Sequence, residues 1–238
     1  EAIGVCKANS EIEVGYFEHF IRDYLNVHAE RAMAVFEPVK VTLTNFPDTS
    51  EEEDFEINPN DESAGTRKIT VSKHIYIDAE DFSLNPPPKY FRLKKDGYVR
   101  LKNAYIIHCD DVKLREDGSV EELLCSYVPE SRSGNDTSGI KVKGVIHWVN
   151  AETAVDAEIR KYDYLLKDAE YPGQDFSERM NYDSVHVYNG KAEPYLAEVA
   201  VGTSFQLMRK GYYKKFEENG KLVLSEIVSL KDSFVLKK

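Results

Sequence analysis

Two hydrophobic periods divide the chain. Near the start, Ile12, Tyr16, Phe20, Ile21, Tyr24 and Leu25 recur at helical spacing, as one face of a 3.6-residue helix requires. Ser10 and Glu13 stand three apart ahead of them. That is a capping box, in which the Ser accepts from a first-turn amide and the Glu reaches back. An amphipathic helix is expected over about residues 11–25. From Arg31 on the period is two: Val39, Val41 and Leu43 alternate with Lys40, Thr42 and Thr44. Residues 68–77, 98–109, 120–128, 140–149, 157–166, 185–188, 204–214 and 222–230 also read as strands, and 194–199 as a short helix. Turn dipeptides fall among them at Asp96-Gly97, Asp117-Gly118, Gly134-Asn135, Asn189-Gly190 and Asn219-Gly220. Many short strands with frequent turns predict a barrel or sandwich. No internal repeat is evident.

Composition adds to this picture. The 238 residues include 15 Tyr and 11 Phe, favouring β structure. Cys6, Cys109 and Cys125 have no metal-ligand spacing and read as reduced thiols in a cytoplasmic protein. No apolar run approaches the ~20 residues of a membrane span. The formal net charge is −11, which by itself argues against a nucleic-acid binder. The signs are segregated, however. Residues 49–63 carry seven acids and no base; 89–102 carry six bases against one acid; 209–215 carry four bases and no acid. Screening limits each charge to ~10 Å at moderate salt, so a local basic face can still hold a polyanion. Residues 49–63 are the expected mobile loop. Pro86-Pro87-Pro88 is a stiff connector leading into the basic stretch.

No catalytic constellation is present. The six His are scattered, without metal or nucleophile–base spacing; His147, beside the only Trp, reads as a core or interface residue. The informative feature is interleaved Lys/Arg and aromatic residues: Lys89-Tyr90-Phe91-Arg92, Tyr98-Val-Arg100-Leu-Lys102 and Arg209-Lys-Gly-Tyr-Tyr-Lys-Lys215. Aromatic faces stack unpaired bases, Lys and Arg pair with phosphates, and Arg can read a guanine edge. The same alternation also fits any half-buried barrel strand.

Several motifs, in order, resemble the anticodon-binding region of bacterial glutaminyl-tRNA synthetases. They are Ile3-Gly-Val, Ile21-Arg-Asp-Tyr-Leu-Asn26, Arg31-Ala-Met-Ala-Val35 with Glu37-Pro-Val-Lys40, Val99-Arg-Leu-Lys-Asn-Ala-Tyr105, and Lys141-Val-Lys-Gly-Val-Ile-His-Trp148. The resemblance implies a mainly β protein of two tandem six-stranded antiparallel β-barrels with a short N-terminal helical segment. Residues 1–27 would connect to a catalytic domain, 28–47 and 157–238 would form the proximal barrel, and 48–156 the distal one. It also implies tRNA(Gln) as partner, its anticodon bases splayed across both barrels. A monomer is expected, attached to its own catalytic domain.

Roles follow only where residues match. Arg31 and Gln206 would read the middle base, a uracil. Arg92 would read the third base, a guanine, and Arg100 would serve the first base and its surroundings. Asn26, Asn60 and Arg209 match other stem-loop contacts. Lys89, Lys102, Lys231 and Ser233 are weaker candidates. The pattern departs at Phe91 and Lys89, where better-known members have Lys and Gln, and at Lys231 and Ser233, where they have Arg and Thr. Lys lacks the planar fork of Arg. The family's ATP, with its Mg, and its HIGH-like and KMSKS-like signatures belong to a catalytic domain; neither signature occurs here, so no cofactor and no ligase activity are expected of this chain alone. Three alternatives remain: a glutamyl-tRNA synthetase of archaeal or eukaryotic type, a non-enzymatic ribosomal-type RNA-binding barrel, and an acidic β-sandwich that binds no RNA.

Overall fold

A computed structural model describes residues 12–167 and 175–231. Helix α1 (Val14–His28) runs past the expected end near residue 25. Ser10 of the expected capping box, Cys6 and Ser233 lie outside the described residues. The helix seats Ile21 and Leu25 against Ala29, Tyr212 and Val228. Arg22 Nε donates to the Ser229 carbonyl at 2.8 Å, tying helix to barrel.

The strands follow in chain order. They are β1 (Glu30–Ala32), β2 (Ala34–Val35), β3 (Pro38–Leu43), β4 (Glu51–Glu56), β5 (Thr66–Val71) and β6 (His74–Asp78). Next come β7 (Phe82–Ser83), β8 (Leu93–Lys94), β9 (Tyr98–Leu101), β10 (Ile106–Leu114), β11 (Val120–Val128) and β12 (Val145–Ile146). The last are β13 (Trp148–Asn150), β14 (Val155–Tyr162), β15 (Val185–Ala192), β16 (Ser204–Leu207), β17 (Gly211–Glu218) and β18 (Lys221–Ser229). Two single-turn helices, α2 (Phe176–Arg179) and α3 (Tyr195–Glu198), flank β15.

Two seven-stranded sheets dominate, ordered β1-β16-β17-β18-β14-β15-β2 and β12-β9-β10-β11-β3-β6-β13. The end strands of each are consecutive in the chain: Met33 separates β1 from β2, and His147 separates β12 from β13. One short run therefore supplies both edges and brings its sheet nearly to closure, which leaves no long free edge. Counted as one passage, it reduces seven strands to the expected six. The expectation of purely antiparallel barrels is corrected. β1 with β16, β14 with β18, β12 with β9 and β3 with β11 are parallel. Each of these pairs joins strands far apart in sequence, where intervening chain supplies the crossover; the local hairpins remain antiparallel.

Both sheets run through the same series of parallel and antiparallel pairings, a structural repeat the sequence does not display. The registers align it. Ala192 faces Ala34 as Ile77 faces Trp148, and Leu207 faces Ala32 as Leu101 faces Ile146. Glu193 then corresponds to Asp78, Gln206 to Arg100, and Arg209 to Asn103. Arg209 and Asn103 both have left-handed backbone, φ 66° and 55°, and each hairpin closes alike, with the amides of Lys210 and Ala104 donating to Leu207 and Leu101.

Each sheet encloses a core. Phe36, Ile159, Phe205, Tyr213 and Leu224 pack in the first; Leu43, Ile75, Leu101, Leu123 and Trp148 in the second. Cys109 and Cys125 are buried in the second. Strand β3 falls in the stretch 28–47 expected in the proximal barrel, yet it pairs with β6 and β11, because Val41 and Leu43 belong to the second core.

Three local expectations are corrected. The acidic stretch 49–63 is not a loop throughout: β4 pairs with β5 in a ribbon, Phe55 is buried, and Lys68 and Arg132 neutralise Asp54 and Glu53 at 2.8 and 3.0 Å. Residues 68–77 are two strands, since β5 stays with β4 while β6 enters the second sheet. Asn189-Gly190 lies within β15. A Cβ at Gly190 would stand 2.3 Å from the Val35 carbonyl oxygen, so the residue is Gly to admit the closing run. Asp117-Gly118 and Asn219-Gly220 do form hairpin turns, with Gly118, Asn219 and Gly220 at φ 81°, 52° and 73°.

Candidate nucleic-acid interface

The expected site residues gather in three places. The first lies where α1 meets the first sheet. Arg31 in β1 pairs in register with Gln206 in β16. Its Nη1 donates to the Ala29 carbonyl and its Nη2 to the Asn26 carbonyl, both at 2.7 Å. Asn60 Nδ2 donates to the same Asn26 carbonyl at 2.7 Å, and Tyr212 Oη to Asn26 Oδ1 at 3.5 Å. Asn58 holds the loop from beneath, donating to the Val27 carbonyl at 2.8 Å. Four separate segments thus bring Asn26, Arg31, Asn60 and Gln206 together. Burial lowers the Arg31 pKa, with the nearby Tyr212 opposing that effect; a guanidinium stays charged regardless.

The second place is a groove of about 480 Å³ whose wall includes Phe36, Tyr188, Arg92, Arg209, Lys210 and Lys231. Arg92 Nη1 donates to the Glu80 carbonyl at 2.8 Å. Arg209 pairs by two parallel bonds with Asp81, each 2.7 Å. Lys210 Nζ lies 2.8 Å from Asp78 and 2.9 Å from Glu80 and 4.5 Å from the Phe36 ring centre. Burial would raise the Asp78 pKa, but the His147 imidazole, the Lys210 ammonium and the Phe36 amide together hold it at about 2. Burial opposes, and the Lys210 ammonium outweighs it, in lowering Glu80. Fixed carboxylates therefore hold the cations at the groove wall.

The third place is the hairpin after β9. Arg100 is turned toward the loop at 131–136: Nη1 donates to the Ser131 carbonyl at 2.6 Å, and Nη2 pairs with Asp136. Lys102 is half-buried and its carbonyl accepts from Trp148 Nε1 at 3.0 Å. Lys89 is exposed, with left-handed backbone at φ 63° after the prolines. Phe91 is exposed, 5.2 Å from the Lys143 ammonium.

A family model described as tRNA synthetases class I (E and Q), anti-codon binding domain, matches residues 29–128, and a second of the same description matches 145–215. The chain belongs to this anticodon-binding family. It is 45% identical over 243 residues to a glutamine–tRNA ligase of Clostridium perfringens, covering 100% of this chain and 44% of that protein. It is 46% identical over 239 residues to one of Rhodopirellula baltica, covering 98% and 40%. The chain spans less than half the length of these curated relatives.

For an anticodon-binding region, the residues that sequence reasoning missed are those beneath the cations. Asp78 and Asp81 are almost wholly buried, yet in sequence they sit in Asp78-Ala-Glu-Asp81, which reads as an acidic surface turn. Lys210 was visible only as part of a basic run. No described helix is long and apolar enough to cross a membrane, and no group of three or more His, Cys, Asp or Glu among the described residues could hold a metal ion.

Proposed function

We propose that this chain reads the anticodon of a glutamine tRNA as part of a longer cytoplasmic glutamine–tRNA ligase. The longer protein attaches glutamine using ATP and Mg held in its catalytic part. The observation that carries the reading is the in-register Arg31–Gln206 pair, set beside Asn26 and Asn60 from two other segments. Arg31 and Gln206 contact the middle base, and Arg92 the third. Asn26, Asn60 and Arg209 hold the loop; Lys89, Lys231 and Ser233 add weaker contacts. Arg100 serves the first base by exchanging Asp136 for RNA, and Lys102 adds a weaker contact. The first sheet is the proximal barrel, and the second, with β3, is the distal one. Residues 1–27 lead to the catalytic domain, and the protein works as a monomer.

The test is a titration with anticodon stem-loops of the glutamine and glutamate tRNAs at two salt concentrations, using unaltered protein and Arg92→Ala. The glutamine loop is expected to bind better, and Arg92→Ala to erode that preference by about 1–3 kcal/mol, as for a bidentate base contact. A steep salt dependence accompanies phosphate contacts. If the glutamate loop binds better, the amino acid is wrong and the family right. No binding of either loop at low salt by the full-length protein refutes the reading.

A further inference from the structure

Two arginines from different sheets meet on one buried carboxylate. Asp81 ends the 3-10 turn Ala79–Asp81 after β6 and is fully buried. Arg209, at the tip of the β16–β17 hairpin, grips it with both terminal nitrogens at 2.7 Å. Arg92, from the loop before β8, places Nε 3.4 Å from Asp81 Oδ1. His147, at the closing break of the second sheet, lies behind them. Its Nδ1 is 3.3 Å from Arg209 Nη1; Arg can only donate, so Nδ1 accepts and the ring proton sits on Nε2. That nitrogen is 3.4 Å from Asp78 Oδ2. The two arginine side chains are 29% and 38% exposed, while Asp81 is at 0%. They are anchored from inside and open on the groove side.

We propose that Asp81 is a positioning residue coupling recognition of neighbouring anticodon bases. This rests on the reading above, in which Gln206 contacts the middle base, Arg209 on the same hairpin holds the loop, and Arg92 contacts the third base. A carboxylate has two oxygens, and Arg209 uses both. Arg92 shares one of them. Any shift of Arg209 toward RNA frees an Asp81 oxygen for Arg92, and any shift of Arg92 tightens the Arg209 fork. The linkage is reciprocal by thermodynamic necessity. Asp81 reaches no base itself; it sets where both forks point. The duplicated hairpin lacks such a device, since Asn103 stands at the position equivalent to Arg209.

The experiment measures binding of the full-length protein to glutamine stem-loops with the correct anticodon, with a changed middle base and with a changed third base. Proteins compared are unaltered, Asp81→Asn, Arg209→Lys and Arg92→Lys. Asp81→Asn is expected to lower the preference for the correct base at both positions, each by about tenfold, the order of one lost bidentate contact. The salt slope should be unchanged, because phosphate contacts are untouched. Arg209→Lys keeps the charge and removes the fork. It is expected to lower the third-base preference, and Arg92→Lys to lower the middle-base preference, by similar factors. An unchanged third-base preference in Arg209→Lys together with an unchanged middle-base preference in Arg92→Lys overturns the proposal, as does an equal loss for right and wrong bases in Asp81→Asn. Should Asp81→Asn fail to fold, the two Lys variants decide alone. If unaltered protein prefers no base, the anticodon reading has failed and the coupling with it; if it does and the cross-effects are missing, only the coupling has failed.

Discussion

Asp78→Asn isolates the electrostatics that hold the two barrels at their junction. Asp78 is 1% exposed. It accepts from the Phe36 amide at 3.1 Å and the Glu37 amide at 3.4 Å, and its Oδ2 lies 2.8 Å from the Lys210 ammonium. Phe36 and Lys210 belong to the first sheet's side and Asp78 to the second, so this one carboxylate crosses the junction. Its pKa falls from an ordinary 3.8 to about 2. At about 1.4 kcal/mol per unit, the carboxylate contributes about 2–3 kcal/mol at neutral pH. The sign follows from the depressed folded pKa: the stabilisation is complete above 3.8 and is lost as pH falls toward 2. Asn has the same shape but turns one acceptor into a donor, orphaning a buried amide for about 1–3 kcal/mol more. A total loss of about 3–6 kcal/mol is therefore expected at pH 7. Urea unfolding followed through Trp148, the single Trp and fully buried, measures it. The gap between the two proteins should narrow by about 1 kcal/mol between pH 5 and pH 3, the titrating part of the loss. A loss under 1 kcal/mol at pH 7, or a gap that does not change with pH, would refute the argument.

Two further perturbations test other seams. Arg67, from β5, donates to Glu193 Oε1 at 2.6 Å while packing on the Tyr195 ring, and that same oxygen accepts from the Met33 amide at 3.0 Å. Arg67→Met strands a buried carboxylate and should cost about 3–5 kcal/mol in urea unfolding; adding Glu193→Gln should recover part of that, and strict additivity of the two would contradict the pair. A Cβ at Gly144 would lie 1.7 Å from the Phe91 carbonyl oxygen, so Gly144→Ala must push the chain beside Arg92 outward. Stem-loop affinity should drop with melting lowered by only a few degrees; unchanged affinity would show that the Phe91–Arg92 segment tolerates displacement.

Much of the fold is legible in the alternation of residues, and the parts that are not have physical reasons. The 120–128 strand coincides with β11, because its apolar positions Leu123 and Cys125 point into a core. The 68–77 strand misleads, because alternation cannot mark where a continuous β pattern leaves one sheet for another. The acidic stretch reads as a loop because charge density suggests solvation, whereas cross-strand Lys68 and inward Phe55 make it a strand. Asn189-Gly190 carries turn chemistry but is needed for a close backbone approach. For the site, cations next to aromatics are visible in sequence. The carboxylates that aim them are not, since burial of Asp81 depends on β16–β17, more than a hundred residues away.

The hidden repeat explains why the junction is built from ion pairs. In chain order, a closing run (β1, β2) comes first, then five main strands of the second barrel, then another closing run (β12, β13), then five main strands of the first. The run β12–β13 closes the second barrel, whose five main strands it directly follows, whereas β1–β2 closes the first barrel, whose five main strands come last. The second barrel is therefore continuous in sequence and set within the first, and each closing run breaks at the seam: Met33 held by Glu193, His147 beside Asp78 and Asp81. Apolar packing alone would let the closing runs slide in register, since alternation repeats every two residues. Directional contacts at Met33 and His147 admit one register only. The groove with Arg92 and Arg209 opens at that same seam, so the contacts that fix the closing runs also aim the cations proposed to meet RNA.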